Sequence, residues 1–176
     1  EDEFNKIRAL PGETERIERL EQLAAWENPG PGSFYDDVGN IAKSANVLRG
    51  EDLNTDPLME RDPNPGYWWW ESGHSRQRLS FQTTLDFPLA LVYDRLDPNA
   101  HYVIRFTGYG DAKTRANGVL LTPTVYGKGI GEFKEFPVPP TLSATGRLVI
   151  TWDKLDEEHL NWRQQSRIAE AWLIKQ

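Results

Sequence analysis

The chain has 176 residues, 38% apolar and 27% charged, with 20 Lys and Arg against 27 Asp and Glu for a net charge of −7. A chain of this length can bury roughly 70% of its unfolded surface around one core, and its composition excludes a disordered tail. Its acidity, without a dense basic run, argues against nucleic acid or anionic lipid as a partner. The lack of cysteine excludes disulfides, thiolate metal sites and thiol nucleophiles. No apolar run reaches the roughly 18 residues of a membrane span. Because residue 1 is Glu rather than Met, the chain is expected to be a mature or excised fragment, with any signal peptide outside it.

Seven Trp, six Tyr and seven Phe stand among twelve Pro and fourteen Gly. Short apolar runs punctuated in this way predict an all-β sandwich. Ahead of it comes a helix. Pro11-Gly12 is a stop, and Glu13, Thr14 and Glu15 bring cap-type and acidic residues to the positive end of a helix dipole. Ile17, Leu20, Leu23 and Ala24 then recur at three- and four-residue spacing. The run ends at Asn28-Pro29-Gly30-Pro31-Gly32, where proline forbids continuation. The expectation is one amphipathic helix of about four turns with a linker over 1–32, then a β domain over 33–176. The helix must dock, either on the sandwich or on a preceding domain.

Beyond Gly32 the period becomes two. Leu79, Phe81, Thr83, Leu85 and Phe87 alternate with polar residues, as a half-buried strand does. Leu89, Leu91 and Tyr93 follow, then the turn Asp97-Pro98-Asn99 and the alternation of Tyr102, Ile104 and Phe106. Stretches 119–125 and 133–138 are further strands. Leu148, Ile150 and Trp152 share one parity, and 168–174 closes the chain. No helical pattern intervenes between 66 and 149, so parallel βαβ units are not expected and an antiparallel two-sheet jelly roll is. Segments 30–44, 50–65, 108–117 and 127–132 are too polar or too rich in Gly and Pro to be strands, and are expected to be long loops of the functional kind.

Four groups of side chains could carry chemistry. Tyr67-Trp68-Trp69-Trp70 cannot place all its rings on one side of a strand, so an indole is expected at the surface. With His74, Arg76 and Arg78 nearby, it suits stacking on a sugar ring with hydrogen bonds to hydroxyls or a carboxylate; the structural reading is core tryptophan. Asp36 and Asp37, followed by Gly39 and Asn40, offer oxygen ligands to a hard cation such as calcium, without the spacing of an EF-hand. Asx-type turns are the alternative. Glu170 shares a strand face with Ile168, Trp172 and Ile174, while Ala169, Ala171 and Leu173 share the other, so either choice of core face leaves something awkward, and a buried carboxylate needs a partner: Arg105, Arg163, Arg167 or a metal. His74, His101 and His159 have no metal-ligand spacing, and no nucleophile-elbow, phosphate-loop or dinucleotide motif is present.

The stretch from Trp26 to Asn40, the turn and strand Asp97-Pro98-Asn99-Ala100-His101-Tyr102-Val103-Ile104 and the closing Arg167-Ile168-Ala169-Glu170-Ala171-Trp172-Leu173-Ile174 resemble segments of large secreted bacterial proteins of polysaccharide metabolism. In those proteins such segments resemble the galactose-binding-like β-sandwich, the fold of many carbohydrate-binding modules. The resemblance implies a C-terminal accessory domain, secreted, periplasmic or at the cell surface, beside a catalytic domain of the same chain. It also implies a structural calcium between a loop and a strand near the chain ends, which would draw on Asp36, Asp37 and Glu170. The expected function is non-catalytic binding of a polysaccharide or oligosaccharide. Trp68, Trp69, Trp70 and Trp162 would stack, and His74, Arg76, Arg78 and Arg115 would hydrogen-bond. A ligand-free domain buttressing its catalytic neighbour is the second reading, and a stand-alone glycan lyase or hydrolase the third.

Overall fold

The computed structural model describes residues 2–38, 40–48, 66–67, 80–83, 90–109, 113–127, 132–153 and 167–176. Two helices open the chain, α1 (Asp2–Arg8) and α2 (Glu13–Glu27), where the sequence predicts one. Gly12 caps α2, and its backbone N–H donates to Glu15 Oε2 at 3.3 Å, the backward half of a capping box. Asn28 ends the helix. The connector then turns through Gly30 and Gly32, at φ of +107° and +75°, a region only glycine enters without strain.

The strands are β1 (Phe34–Asp37), β2 (Gly66–Tyr67), β3 (Ser80–Thr83), β4 (Ala90–Asp94), β5 (Tyr102–Tyr109), β6 (Lys113–Ala116), β7 (Val119–Leu120), β8 (Val125–Tyr126), β9 (Lys134–Val138), β10 (Arg147–Asp153) and β11 (Arg167–Lys175). Among the described residues every pairing is antiparallel. A large sheet runs β2-β3-β11-β5-β9-β8, with β1 also paired to β11, and a small sheet runs β4-β10-β6-β7. Leu91, Tyr93, Leu148, Ile150 and Trp152 from the small sheet share one core with Tyr102, Ile104, Phe106, Phe136 and Leu173 from the large one. This is a β-sandwich-like architecture, and the period-two alternation along β5 and β10 is its cause: those side chains stand on one face of each strand.

Several expectations are corrected. The strands β1 and β6 lie inside segments 30–44 and 108–117, whose polarity reads as loop. In β6 the inward residues are Thr114 and Ala116, small enough to pack beneath Trp152 and Ile150 opposite them. A four-residue helix, α3 (Pro140–Ser143), falls in the stretch expected to lack one. The α2 stripe does not dock as expected: Ile17 and Leu20 are 48% and 42% exposed, and no residue of the helix is fully buried. No described helix is long and apolar enough to cross a membrane.

The closing strand resolves its parity conflict with a bulge. Ile168 pairs with Gly108 and Glu170 with Thr107, so two residues of β11 span one step of β5. Ile168 therefore joins Ala171 and Leu173 in the core, while Glu170 and Trp172 turn to the outer face beside Thr107 and Arg105. Without that extra residue, the alternation would put Glu170 in the sandwich interior or Ile168 outside it.

Candidate functional site

The outer face of the large sheet carries a four-ring cluster beneath the C-terminal end of α2. Trp172 of β11 stands edge-on to Trp26 of α2, with centroids 5.3 Å apart and planes at 89°. Tyr35 of β1 lies 5.4 Å from Trp172, and Phe133 lies 5.8 Å from both Trp26 and Trp172. Tilted and edge-to-face pairs of this kind add about 0.5–1.5 kcal/mol each beyond the area they bury.

Hydrogen bonds fix the cluster in both directions. The Trp26 indole N–H and the Tyr35 hydroxyl both donate to Glu170 Oε1, each at 2.7 Å. The Trp172 indole N–H donates back to the Trp26 carbonyl at 2.7 Å. Trp26 thus anchors α2 to the sheet in place of Ile17 and Leu20. Glu170 is fully buried, and neutral donors hold its Oε1 where the sequence suggests a cation. Arg105 is instead committed to Glu135, through Nε at 2.7 Å and Nη2 at 2.6 Å. Arg163 and the Arg167 side chain lie outside the described residues.

Asp36 and Asp37 are strand residues rather than loop ligands or Asx turns, and neighbours on a strand face opposite ways. Asp37 sits across from Glu170 on the outer face, whereas Asp36 sits across from Ala171. The Asp36 carboxylate accepts from the Asn46 backbone N–H at 3.0 Å, from the Asn46 side chain at 3.0 and 3.2 Å, and from the Tyr93 hydroxyl at 3.2 Å. The three carboxylates are divided between two faces, and those of Asp36 and Glu170 accept from N–H and O–H donors. They do not form the common ligand set that a calcium ion held by all three requires. Among the described residues no group of three His, Cys, Asp or Glu side chains is arranged to hold a metal.

Trp68, Trp69, Trp70, His74, Arg76, Arg78 and Trp162 lie outside the described residues. Arg115 stands on the outward side of the small sheet, where Nη1 donates to the Gly118 carbonyl at 2.9 Å. It is on the opposite outer face of the sandwich from the aromatic cluster. What sequence reasoning missed is a cleft of ≈ 420 Å³ between α2 and the large sheet, lined by Trp26, Phe133 and Trp172 with Gln22, Arg105 and Ile174. That volume lies within the roughly 300–1,000 Å³ of small-molecule sites. The Arg105 guanidinium sits 4.9 Å over the Phe133 ring, a cation–π contact that holds it in place.

Two phenols, Tyr93 buried and Tyr35 half-buried, carry a pH signature. Burial first, then the charge and hydrogen bond of Glu170, push the Tyr35 hydroxyl well above the ordinary tyrosine range. Burial, then Asp36, do the same to Tyr93. A raised folded-state value means that the native state keeps a proton the unfolded chain releases. Stability is therefore fully present below about pH 10, the unfolded value, and is lost as pH climbs above it. Tyr93 alone sets a slope of up to about 1.4 kcal/mol per pH unit there; Tyr35, partly open to solvent, adds less. Denaturation midpoints measured across this range should fall steeply in the wild type and less steeply in Tyr93→Phe. Equal slopes would contradict the prediction.

No protein-family model, curated protein or solved structure matches this chain.

Proposed function

We propose that this domain is a non-catalytic carbohydrate-binding module of jelly-roll, galactose-binding-like type, carried by an exported bacterial polysaccharide-degrading enzyme. The observation that carries the reading is the aromatic cleft: Trp26 and Phe133, backed by the buried Trp172, beside polar Gln22 and Arg105. Aromatic rings with a few convergent polar groups are what the apolar C–H face and hydroxyls of a sugar ring need. Trp68, Trp69, Trp70 and Trp162, with His74, Arg76, Arg78 and Arg115, remain further candidates on sequence grounds. Sugar hydroxyls exchange water for protein at small net gain, so single-site affinity is expected between millimolar and high micromolar, about −4 to −6 kcal/mol. Calorimetric titration against neutral and acidic polysaccharides should give saturable binding without release of reducing ends or unsaturated products. Absence of binding across the panel would overturn the reading, and product release would replace it with the enzyme reading.

A second reading, a ligand-free accessory domain packed on its catalytic neighbour, draws on a different observation. Phe4 of α1 and Ile17 and Leu20 of α2 are exposed although their spacing is that of a buried stripe. Under that reading the helices bind the neighbour, and Ile17→Glu with Leu20→Glu would undock the two linked domains, read as a lower sedimentation coefficient of the intact protein, while leaving any glycan affinity unchanged.

A further inference from the structure

We infer that the cleft between α2 and the large sheet is the subsite for an uncharged sugar ring, not for a uronate or sulfated one; this rests on the glycan-binding reading above. The lining explains the first half. Both indole N–H groups are spent inside the protein, Trp26 on Glu170 and Trp172 on the Trp26 carbonyl. Trp172 is buried and backs the cleft; what the partly exposed Trp26 and Phe133 rings offer an occupant is π-surface, which pairs with the C–H face of a pyranose rather than with an anion. Hydrogen bonding falls to Gln22 and Arg105, the polar side chains among the lining residues.

Charge decides the second half. Arg105 is the cation among the described lining residues, and Glu135 already neutralises it at 2.6–2.7 Å. Both contacts run to Oε1, so an Arg105–Glu135 pair can present a donor and an acceptor side by side, as vicinal hydroxyls require, with no net positive charge. The helix forming one wall is itself acidic: with Glu27 paired to Lys43, Glu13, Glu15, Glu18 and Glu21 still outnumber Arg16 and Arg19, a net of −2. Buried Glu170 lies behind the Trp26 indole, and the whole chain carries −7. An anionic ring would enter a field of its own sign, and among the described lining residues the one cation that could meet it is already paired. A neutral ring pays no such penalty.

The test titrates the purified chain with neutral hexose oligosaccharides and with oligouronates of the same length, by calorimetry and tryptophan fluorescence. Neutral ligands should bind about tenfold more tightly than oligouronates at low salt, and the gap should narrow as salt screens the field. Phe133→Ala should weaken neutral-ligand binding about fivefold to tenfold, the range of one lost aromatic contact. Should Phe133→Ala fail to fold, Gln22→Ala and Ala25→Gln sit at exposed helix positions that line the same cleft and should each weaken binding. If neutral glycans bind and these variants leave the affinity unchanged, the cleft is not the subsite, although the glycan reading survives. If oligouronates bind more tightly than neutral sugars, the charge argument fails alone. If neither class binds, the underlying reading fails with it.

Discussion

Replacing Trp152 with alanine is expected to destabilise the fold by roughly 3–5 kcal/mol, the cost of deleting a large buried aromatic. Trp152 is 1% exposed and stands edge-on to Phe106 at 5.4 Å, so one ring joins the small sheet to the large one. Domains of this kind are held by only about 5–15 kcal/mol in total, and the change corresponds to a fall in melting temperature of about 6–20 °C. The Trp152 indole N–H is buried and has no hydrogen-bond acceptor among the described residues. Trp152→Phe therefore keeps an aromatic partner for Phe106 and removes an unsatisfied donor, and should cost clearly less than Trp152→Ala. Denaturant unfolding of both variants checks this. Equal losses would mean that the inter-sheet ring contact is not what matters at this position.

Glu170→Ala should come next, at roughly 2–4 kcal/mol, because it strands two part-buried donors at once. The Trp26 indole and the Tyr35 hydroxyl converge on one carboxylate oxygen, and that oxygen joins α2, β1 and β11. Its loss should also loosen α2, whose other attachments to the sheet are few: the Trp172-to-Trp26 bond and the ring contacts. Hydrogen exchange in α2 should therefore accelerate more than exchange in β5 or β10. A double-mutant cycle with Tyr35→Phe isolates the pair, and a coupling near zero would show that the two groups act independently.

The strand alternations were legible because inside–outside periodicity is a local property of an extended chain. Leu148, Ile150 and Trp152 announce their shared face three residues into the run, and all three are buried on it. The helix over Glu13–Glu27 was equally legible from its spacing and its Pro/Gly stop. A usable signal was overlooked in Asn117-Gly118. Both residues have positive φ and close the β6–β7 hairpin, the turn that an Asn-Gly pair favours between strands. Reading it would have turned part of segment 108–117 from loop to strand.

Glu170 marks where local reading stops. Its need for a partner followed from the sequence, since a carboxylate among Ile, Trp and Ala on a closing strand is costly unless paired. The kind of partner did not follow, because Trp26 and Tyr35 lie 144 and 135 residues away along the chain. Nor did the side it faces, which depends on a one-residue shift between β11 and β5. Local propensity has little hold on such a shift: it gains its energy from how two sheets and a helix pack together.

By itself, then, the sequence determined an antiparallel β protein preceded by a helix, acidic, without thiol chemistry, and richer in aromatic rings than most cores need. Only the tertiary structure decided which rings meet, that Trp26 rather than Ile17 and Leu20 anchors the helix, and that Arg105 is neutralised beside the cleft. The physical reason is range: periodicity is set within a few residues, whereas a site is set by contacts between segments more than a hundred residues apart.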